Sequence, residues 1–404
     1  MLSVQEARER ILSHVQATAT ESVPLIESAG RILAVDIVAD SEYPPFDNSA
    51  VDGFALRAED TSASSQTLSV VADIPAGSSP TVSLNVGQAA RIMTGAQLPQ
   101  GATAVIAVED TDVKHHLAGT AAPQTITFSK QLRQGENIRQ HGMDMNRGDA
   151  VLPKGRILKP QDLGLLATLG VSNVTVHKKP RVALISSGDE LLPVDMPLEA
   201  GKIRDSNSYT LAAAVELTGA EVLRLGIAKD TRESVTTLLE RAVTEKADLI
   251  LSSAGVSVGA FDFIKEVIEA NGNMDFWRVN MRPGKPLAFG SYRGIPFIGL
   301  PGNPVSAFVG FEVFVRPTLG RLGGQMDGSR PMIKVRCEEE IMSDGRESYL
   351  RARLRLSDGI YTASLTGHQG SGNLLSLVQA DALLIIPAGV KCVPASSEVN
   401  AILL

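Results

Sequence analysis

The sequence contains very little cysteine, no long apolar run and no excess of basic residues. Only two of its 404 residues are cysteines, Cys337 and Cys392, so no zinc or iron–sulfur spacing and no disulfide framework is available. No apolar stretch approaches the roughly 18–20 residues of a membrane-spanning helix. The formal net charge of −7 argues against a broad nucleic-acid-binding surface, while a local basic cluster for a small anion stays compatible with it.

The totals predict a soluble protein of several domains. A chain of 404 residues exceeds what one hydrophobic core normally serves, so about two to four domains are expected. Hydrophobic residues make up 44% and charged residues 21%, which is ordinary for a globular protein. The first ten residues are charged and amphipathic and lack the apolar core of a secretory signal. We therefore expect a cytoplasmic location.

The first half of the chain predicts a β module inserted into a second domain. Residues 3–20 have apolar side chains at helical spacing, which predicts an amphipathic helix. Short strands and turns over residues 46–140 predict a small β module. The flanking segments, residues 1–45 and 141–179, are then expected to form one elongated, discontinuous domain.

The second half predicts an α/β domain followed by a β-barrel. Over residues 180–325, strands alternate with helices of about 10–15 residues, which indicates a parallel-rich sheet covered on both faces. Ligands of such sheets bind beyond the carboxyl ends of the strands. From residue 326 to 404 strand-like runs return without helices, which predicts a small barrel.

Residues 252–262, Ser-Ser-Ala-Gly-Val-Ser-Val-Gly-Ala-Phe-Asp, follow an apolar strand and precede a helix. A loop of small residues at such a place exposes backbone N–H groups, which favour phosphate or another oxyanion. Asp262 at its end would repel a phosphate unless a cation lies between them. The loop therefore predicts an anion site that includes a metal ion.

Three strand ends of the predicted sheet each carry a carboxylate: Glu190, Asp230 and Asp262. One interpretation is that they only occupy helix N-termini, where the macrodipole favours negative charge. Their shared position at the ligand edge favours a cation instead, and oxygen-only ligands indicate magnesium and not zinc.

Two rigid turns carry residues suited to an oxyanion. Residues 278–286 hold Arg282 and Lys285 close together, and residues 299–307 add backbone N–H groups and Ser306. Both could instead be plain surface turns. Asp52 and Thr94 could equally be ordinary turn residues. No Walker A spacing and no Ser-His-Asp arrangement is present.

Seven motifs occur together and in order along the chain. They are Pro-Pro-Phe-Asp-Asn-Ser-Ala-Val-Asp-Gly-Phe-Ala, Arg-Ile-Met-Thr-Gly-Ala, Gly-Glu-Asn-Ile-Arg, Ser-Ser-Gly-Asp-Glu-Leu, Ser-Ala-Gly-Val-Ser-Val-Gly, Arg-Pro-Gly-Lys-Pro and Leu-Pro-Gly-Asn-Pro-Val-Ser. With them, nearly the whole chain resembles the MoeA family of molybdopterin molybdenumtransferases, which includes the E domain of gephyrin. The chain departs from many relatives in having Arg282 for lysine and Ser253-Ala254-Gly255 for a Gly-Gly pair.

The resemblance implies a homodimer of four-domain subunits with an α/β/α molybdopterin-binding-like domain. It implies insertion of molybdate into adenylylated molybdopterin, with AMP released in a magnesium-dependent step. In that family the α/β domain of one subunit faces the small β module of the other. The implied catalytic positions are Asp52, Thr94, Asp144, Glu190, Asp230, Asp262 and Lys285. Molybdate binding is assigned to Arg282, Lys285, Ser306, Arg351 and Ser371, and the metal to Asp262 and Glu190. Substrate contacts are assigned to Ser187, Gly188, Gly255, Ser257, Gly259, Pro301, Gly302 and Asn303.

Two other functions fit parts of the pattern. A molybdopterin adenylyltransferase would use the same α/β fold, but that activity belongs to shorter chains without the flanking modules. A non-catalytic scaffold, as the gephyrin E domain also is, would not need the acidic and basic site residues. Contact with an adenylyltransferase and with downstream molybdoenzyme machinery is expected, and no nucleic acid or membrane partner is.

Overall fold

The computed structural model describes residues 1–113, 120–253 and 263–404, except the side chain of Trp277. The described residues form two compact units. The larger unit comprises Met1–Val35, Lys154–Ala167 and Val171–Leu404, and the smaller comprises Asp36–Pro153 and Thr168–Gly170. None of the described helices is long and apolar enough to cross a membrane.

Short strands build the smaller unit, as the turn-rich sequence predicts. One sheet has the spatial order Ala104–Ala107, Gly53–Leu56, Gln88–Ile92, Gln66–Ile74 and Thr125–Phe128. Its neighbours are antiparallel except for the third and fourth strands, which run parallel. Two shorter pairings join Asn48–Ser49 to Ile138–Arg139 and Ile37–Val38 to Ala150–Leu152. Short 3-10 turns occupy Ala58–Thr61 and Val108–Asp110.

Apolar residues cover both faces of this small sheet. Phe54 and Ile106 pack on one face and Ala55 and Val105 on the other, all fully buried. Gly53 pairs so closely with the neighbouring strand that a Cβ atom there would collide with the carbonyl of Ile106. Only glycine fits at this position, so the strand begins at a fixed point directly after Asp52.

A six-stranded mixed sheet lies at the centre of the larger unit. Its spatial order is Glu221–Ala228, Arg181–Ser187, Leu249–Ser253, Ile295–Leu300, Pro286–Tyr292 and Gly272–Arg278. The first four strands are parallel and the last two antiparallel. The parallel part was predicted, whereas the antiparallel edge was not, because strands paired through a tight turn lack the helical spacer that indicated the others.

Helices cover both faces of this sheet. Those of the larger unit include Val4–Ser13, Asn207–Glu216, Arg232–Thr244, Phe263–Asn271, Pro304–Gly310, Arg316–Leu322 and Leu374–Val378, and a π-helical segment, Phe311–Val315, joins the fifth and sixth of these. The helix Pro160–Thr168 precedes the strand Asn173–His177, which pairs with Thr20–Pro24, and a 3-10 turn follows at Leu25–Glu27. Leu184 and Leu251 pack with Leu211 on one face, while Ile185 and Ile250 pack with Leu239 on the other. Each fully buried side chain of this size stabilises the fold by roughly 1.5–3 kcal/mol. Because both faces of the sheet are covered, the central strands are nearly continuous apolar runs.

The N-terminal helix is shorter than the predicted span of 3–20. It begins after Ser3, whose side chain forms a capping box with Glu6, and it ends at Ser13. The backbone N–H of His14 closes the last turn on the carbonyl of Ile11. From Thr20 the chain pairs with another strand, and this long-range pairing overrides the local helical pattern.

Five strands close into a barrel in the C-terminal part, which confirms the predicted α/β-plus-barrel fold class. Around the ring they are Glu347–Ser357, Ile360–Leu365, Met332–Cys337, Glu398–Leu403 and Ala382–Ile386, with the last pairing back to the first. Near the barrel, Ile341–Met342 pairs with Cys392–Val393. A second short pair, earlier in the chain, joins Leu191–Leu192 to Ile203–Arg204. The prediction of no helix in this part is wrong, because Leu374–Val378 forms a short helix capped by Asn373.

Candidate active site

The parallel strands deliver their polar residues to one edge of the sheet. Arg181–Ser187 ends in the buried Ser187, whose Oγ donates to Asp230 Oδ1 at 3.2 Å across the neighbouring strand end. Asp230 and Asp189 also exchange contacts: the N–H of Asp189 donates to Asp230 Oδ2 at 3.4 Å, and the N–H of Asp230 donates to Asp189 Oδ1 at 3.2 Å. Hydrogen bonds in both directions therefore join the loops that follow these two strands. Asp189 was not predicted as a site residue, although it stands beside Glu190 in the Ser-Gly-Asp-Glu motif.

Glu190 lies exposed beside the backbone of Gly188. Gly188 has φ +145°, and a Cβ atom there would collide with the carboxylate of Glu190. The glycine thus lets the carboxylate lie against the strand-end loop. The carbonyl of Glu190 accepts the N–H of Ile203 at 2.8 Å, which ties this loop to the strand Ile203–Arg204.

Four predicted site residues, Gly255, Ser257, Gly259 and Asp262, lie outside the described residues. The predicted sharing of a metal between Asp262 and Glu190 therefore stays a prediction. Within the described ranges, no group of three or more His, Cys, Asp or Glu side chains is arranged to hold a metal ion. The strand that leads into this loop ends at Ser253, which is 2% exposed.

A polar cluster that was not predicted lies next to Ser253. The buried Asn207 donates through Nδ2 to Ser253 Oγ at 2.8 Å and to the carbonyl of Gly302 at 2.7 Å. Ser186, the register neighbour of Ser253, is 1% exposed, and its hydroxyl has no hydrogen-bond partner among the described residues. The Asp-Ser-Asn run at residues 205–207, just before a helical pattern, was the available sequence signal.

The turn at residues 299–303 brings two predicted residues together. Asn303 Nδ2 donates to Ser371 Oγ at 3.0 Å, and the carbonyl of Ser371 accepts the N–H of Val305 at 3.0 Å. The partners are 68 residues apart in sequence. Ser306 is 3% exposed and Pro301 is buried, while Gly302 and Asn303 are exposed.

The basic turn packs beside this helix start. Gly284 has φ +99°, and a Cβ atom there would lie 3.6 Å from the carbonyl oxygen of Ser306. Met281–Arg282 pairs with the first residues of Glu347–Ser357, which ties the turn to the barrel. Arg282 Nη1 lies 3.7 Å from Asp344 Oδ2 and is about half exposed, and Lys285 is exposed. Both cations are thus presented at the surface beside the turn that holds Ser371.

Asp344 balances part of this positive charge. Arg346 donates to the Asp344 carboxylate at 3.0 Å and 2.5 Å. These bonds, with the backbone N–H of Arg346 and the charge of Arg282, lower the pKa of Asp344 below its usual range. The carboxylate is therefore ionised beside the basic turn at neutral pH.

Arg351, a predicted molybdate ligand, is fully buried, whereas an anion ligand at the surface would be exposed. It lies on the barrel's outer face, covered by residues 366–376. Its Nε donates to Ser376 Oγ at 2.9 Å, and its Nη atoms donate to the carbonyls of His368, Gln369 and Gly370 at 3.1–3.3 Å. Burial lowers the pKa of its guanidinium, which nevertheless stays charged at neutral pH. Arg351 therefore shapes the loop that carries Ser371.

The smaller unit holds the remaining predicted residues. The backbone N–H and the Oγ1 of Thr94 both donate to Asp52 Oδ1, at 2.7 and 2.6 Å, across 42 residues of sequence. The structure thus brings Asp52 and Thr94 together, and both are exposed. Asp144 is separate from this pair and accepts a hydrogen bond from Arg139 at 2.8 Å.

Comparison with known families accounts for most of the chain. Residues 2–170 match the MoeA N-terminal region (domain I and II). Residues 183–321 match a probable molybdopterin binding domain, and residues 334–404 match the MoeA C-terminal region (domain IV). The three matches follow the same order as the motifs.

Proteins of known family match this chain over most or all of their length. The molybdopterin molybdenumtransferase of Nostoc sp. is 38% identical over 391 residues, covering 94% of this chain and 88% of the relative. Molybdopterin molybdenumtransferase 2 of Mycobacterium tuberculosis is 38% identical over 411 residues, covering 99% of both. A MoeA molybdopterin biosynthesis protein from Pyrococcus horikoshii superimposes with a TM-score of 0.85 at 31% identity, covering 100% of both chains. The resemblance predicted from the motifs is confirmed: the chain belongs to the MoeA family of molybdopterin molybdenumtransferases.

Proposed function

We propose that this protein transfers molybdate into adenylylated molybdopterin and releases AMP. The names of its full-length relatives support the molybdenum transfer. The observation that carries the proposal is the contact of Asn303 with Ser371 beside the turn that bears Arg282 and Lys285. The turn that bears the two cations packs beside the start of the helix Pro304–Gly310, directly after Asn303, although these residues come from three separate segments of the chain.

Molybdate is a tetrahedral dianion, and this arrangement suits it. Arg282 offers a fork of N–H donors and Lys285 a point charge, which together balance two negative charges. Ser371 supplies a hydroxyl whose position Asn303 fixes. Arg351 would act one step away, by holding the carbonyls of residues 368–370 in place.

We assign the adenylylated pterin to the neighbouring strand ends. Ser187 and Gly188 offer a hydroxyl and backbone groups at the carboxyl edge of the parallel strands, where ligands of such sheets bind. These contacts would orient the phosphoanhydride for attack by an oxygen nucleophile at phosphorus, with AMP as the leaving group. Asp230 is held in place by Ser187 and Asp189, as a catalytic carboxylate requires.

Magnesium is part of the proposal, with Glu190 and Asp262 as the residues that would hold it. The described donors at this edge, the carboxylates of Glu190 and Asp230 and the hydroxyl of Ser187, are hard oxygen ligands, which fit magnesium. When bound, the ion would neutralise phosphate charge next to these carboxylates. The chain's own part is to place oxygen donors beside the phosphates.

The reaction is tested with purified protein, adenylylated molybdopterin, molybdate and magnesium. AMP release that depends on both molybdate and magnesium is expected. Release without molybdate, or none at all, would contradict the proposal. If molybdopterin and ATP instead gave the adenylylated product, the activity would be that of an adenylyltransferase.

A cytoplasmic homodimer is also proposed from the family resemblance, and light scattering of the purified chain tests the dimer.

Replacing Lys285 with alanine is expected to raise the KM for molybdate about 10–100-fold, since one hydrogen bond from a charged group contributes roughly 1.5–3 kcal/mol. The melting temperature should not change, because the side chain is exposed. Lys334→Ala is the matched control: this exposed lysine lies on the barrel strand Met332–Cys337. An equal effect of both substitutions on KM would show that only general charge matters.

A further inference from the structure

Asn207 joins two segments of the candidate site through one side-chain amide. Its Nδ2 uses both hydrogens, one on Ser253 Oγ at 2.8 Å and one on the Gly302 carbonyl at 2.7 Å. Asn207 is 8% exposed and Ser253 2% exposed. The bond to Ser253 joins two buried side chains, so breaking it leaves a buried polar atom without that partner, whereas the bond to the exposed Gly302 is only partly shielded from water.

The start of the helix Asn207–Glu216 does not explain this asparagine. The buried Asp205 already accepts the N–H of Ser208 at 3.0 Å, which satisfies a donor of the first turn. Asparagine is also a poorer helix former than alanine or leucine, so local propensity would not select it. What the side chain does contribute is the connection between Ser253 and Gly302, which lie 46 and 95 residues away in sequence.

The two segments that it joins have different parts in the proposed reaction. Ser253 ends the strand Leu249–Ser253 and lies in register with Ser186, next to Ser187 on the proposed pterin-adenylate side. Gly302 precedes Asn303, which holds the hydroxyl of Ser371 on the proposed molybdate side. Asn207 therefore lies between the places assigned to the two substrates.

We propose that Asn207 is a positioning residue that sets the spacing between the strand end at Ser253, on the pterin-adenylate side, and the turn at residues 301–303, on the molybdate side. The inference rests on the proposed function for what the two segments bind. Without the amide, each segment would keep its own local contacts, but their relative placement would no longer be fixed. Loss of this spacing should therefore raise the KM for both substrates.

The test compares Asn207→Ala and Asn207→Asp with the control Asn173→Ala. Asn173 is exposed, and its Nδ2 donates to the adjacent Ser172 Oγ at 3.2 Å and to no other described residue. With rates normalised to folded protein, Asn207→Ala should raise the KM for both molybdate and adenylylated molybdopterin at least tenfold. Asn207→Asp keeps the shape but has no donor for the Gly302 carbonyl, so it should be at least as impaired. The control should match the wild type.

A double substitution tests whether Asn207 acts through the turn. Asn303→Ala alone should raise the KM for molybdate. The KM for molybdate of Asn207→Ala/Asn303→Ala should rise by less than the product of the two single effects, because both residues hold the same turn. Independent multiplication of the effects would contradict a shared action.

Amide hydrogen exchange gives a second measurement that does not depend on activity. Asn207→Ala should speed exchange in peptides covering residues 249–253 and 299–306, while Asn173→Ala should not. Faster exchange with unchanged KM values would make Asn207 merely structural, and raised KM values with unchanged exchange would indicate direct ligand contact. Either result overturns the proposal. If the wild type releases no AMP, the proposed function fails, and exchange still decides whether Asn207 holds the two segments.

Discussion

Replacing Arg351 with alanine is expected to lower the free energy of unfolding by about 3–5 kcal/mol, because it leaves a large cavity and removes four buried or partly buried hydrogen bonds. The carbonyls of His368, Gln369 and Gly370 would each lose a donor, as would Ser376 Oγ. The loop that carries Ser371 would loosen as a consequence. The KM for molybdate should therefore rise together with the loss of stability, measured by urea unfolding and by AMP release.

Two further variants separate positioning from direct binding. Arg353→Ala is the matched control, because Arg353 lies two residues along the same strand, on the same face, and is exposed. Its effect on stability should stay within about 0.5 kcal/mol. Arg351→Lys keeps the charge but cannot reach all four acceptors, so it should be intermediate in both stability and KM. A stable Arg351→Ala protein that cannot use molybdate would show that the guanidinium contacts the anion itself.

Replacing Glu312 with alanine is expected to cost about 3–5 kcal/mol of stability, since it leaves two largely buried arginines without their counter-charge. The Glu312 side chain is fully buried, and Arg316 and Arg330 each donate twice to it, at distances from 2.6 to 3.2 Å. Arg330 lies just before the barrel strand Met332–Cys337. The ion triad therefore fixes the point where the chain leaves the helical layer for the barrel, and urea unfolding measures its loss.

The control for this prediction is an exposed pair of the same chemistry. Arg232 and Glu266 lie 2.8 Å apart, but both side chains are more than half exposed. Glu266→Ala should change the free energy of unfolding by less than about 1 kcal/mol, because water screens the pair. Equal effects of the two substitutions would mean that the buried triad contributes no more than a surface pair. Glu312→Leu combined with Arg316→Met and Arg330→Met should recover much of the loss, since no buried charge then stays unpaired.

Local patterns predicted the α/β part of the fold well. The strands Arg181–Ser187, Glu221–Ala228 and Leu249–Ser253 were expected from short apolar runs, and the helices between them from their spacing. The central strands Arg181–Ser187 and Leu249–Ser253 are recognisable because burial on both faces requires nearly every residue to be apolar. Where long-range pairing competes with local preference, prediction was weaker, as at the N-terminal helix that ends at Ser13.

The candidate site was predicted as a set of residues, not as an arrangement. The motifs pointed to Arg282, Lys285, Asn303 and Ser371 one by one. Their grouping depends on how the barrel packs against the α/β sheet, which no local pattern records. Asn207 was missed for the same reason: its importance lies in contacts 46 and 95 residues away.

By itself, the sequence determined the family, the order of the elements and the rigid turns, because these depend on local motifs, hydrophobic spacing and the restricted dihedrals of proline and glycine. The scarcity of cysteine and of long apolar runs had already narrowed the class of protein. Only the tertiary structure decided that Thr94 meets Asp52, that Asn303 meets Ser371 and that Arg351 is buried behind the loop it supports. Burial and pairing across dozens of residues arise from strand register and barrel closure, which are properties of the whole fold.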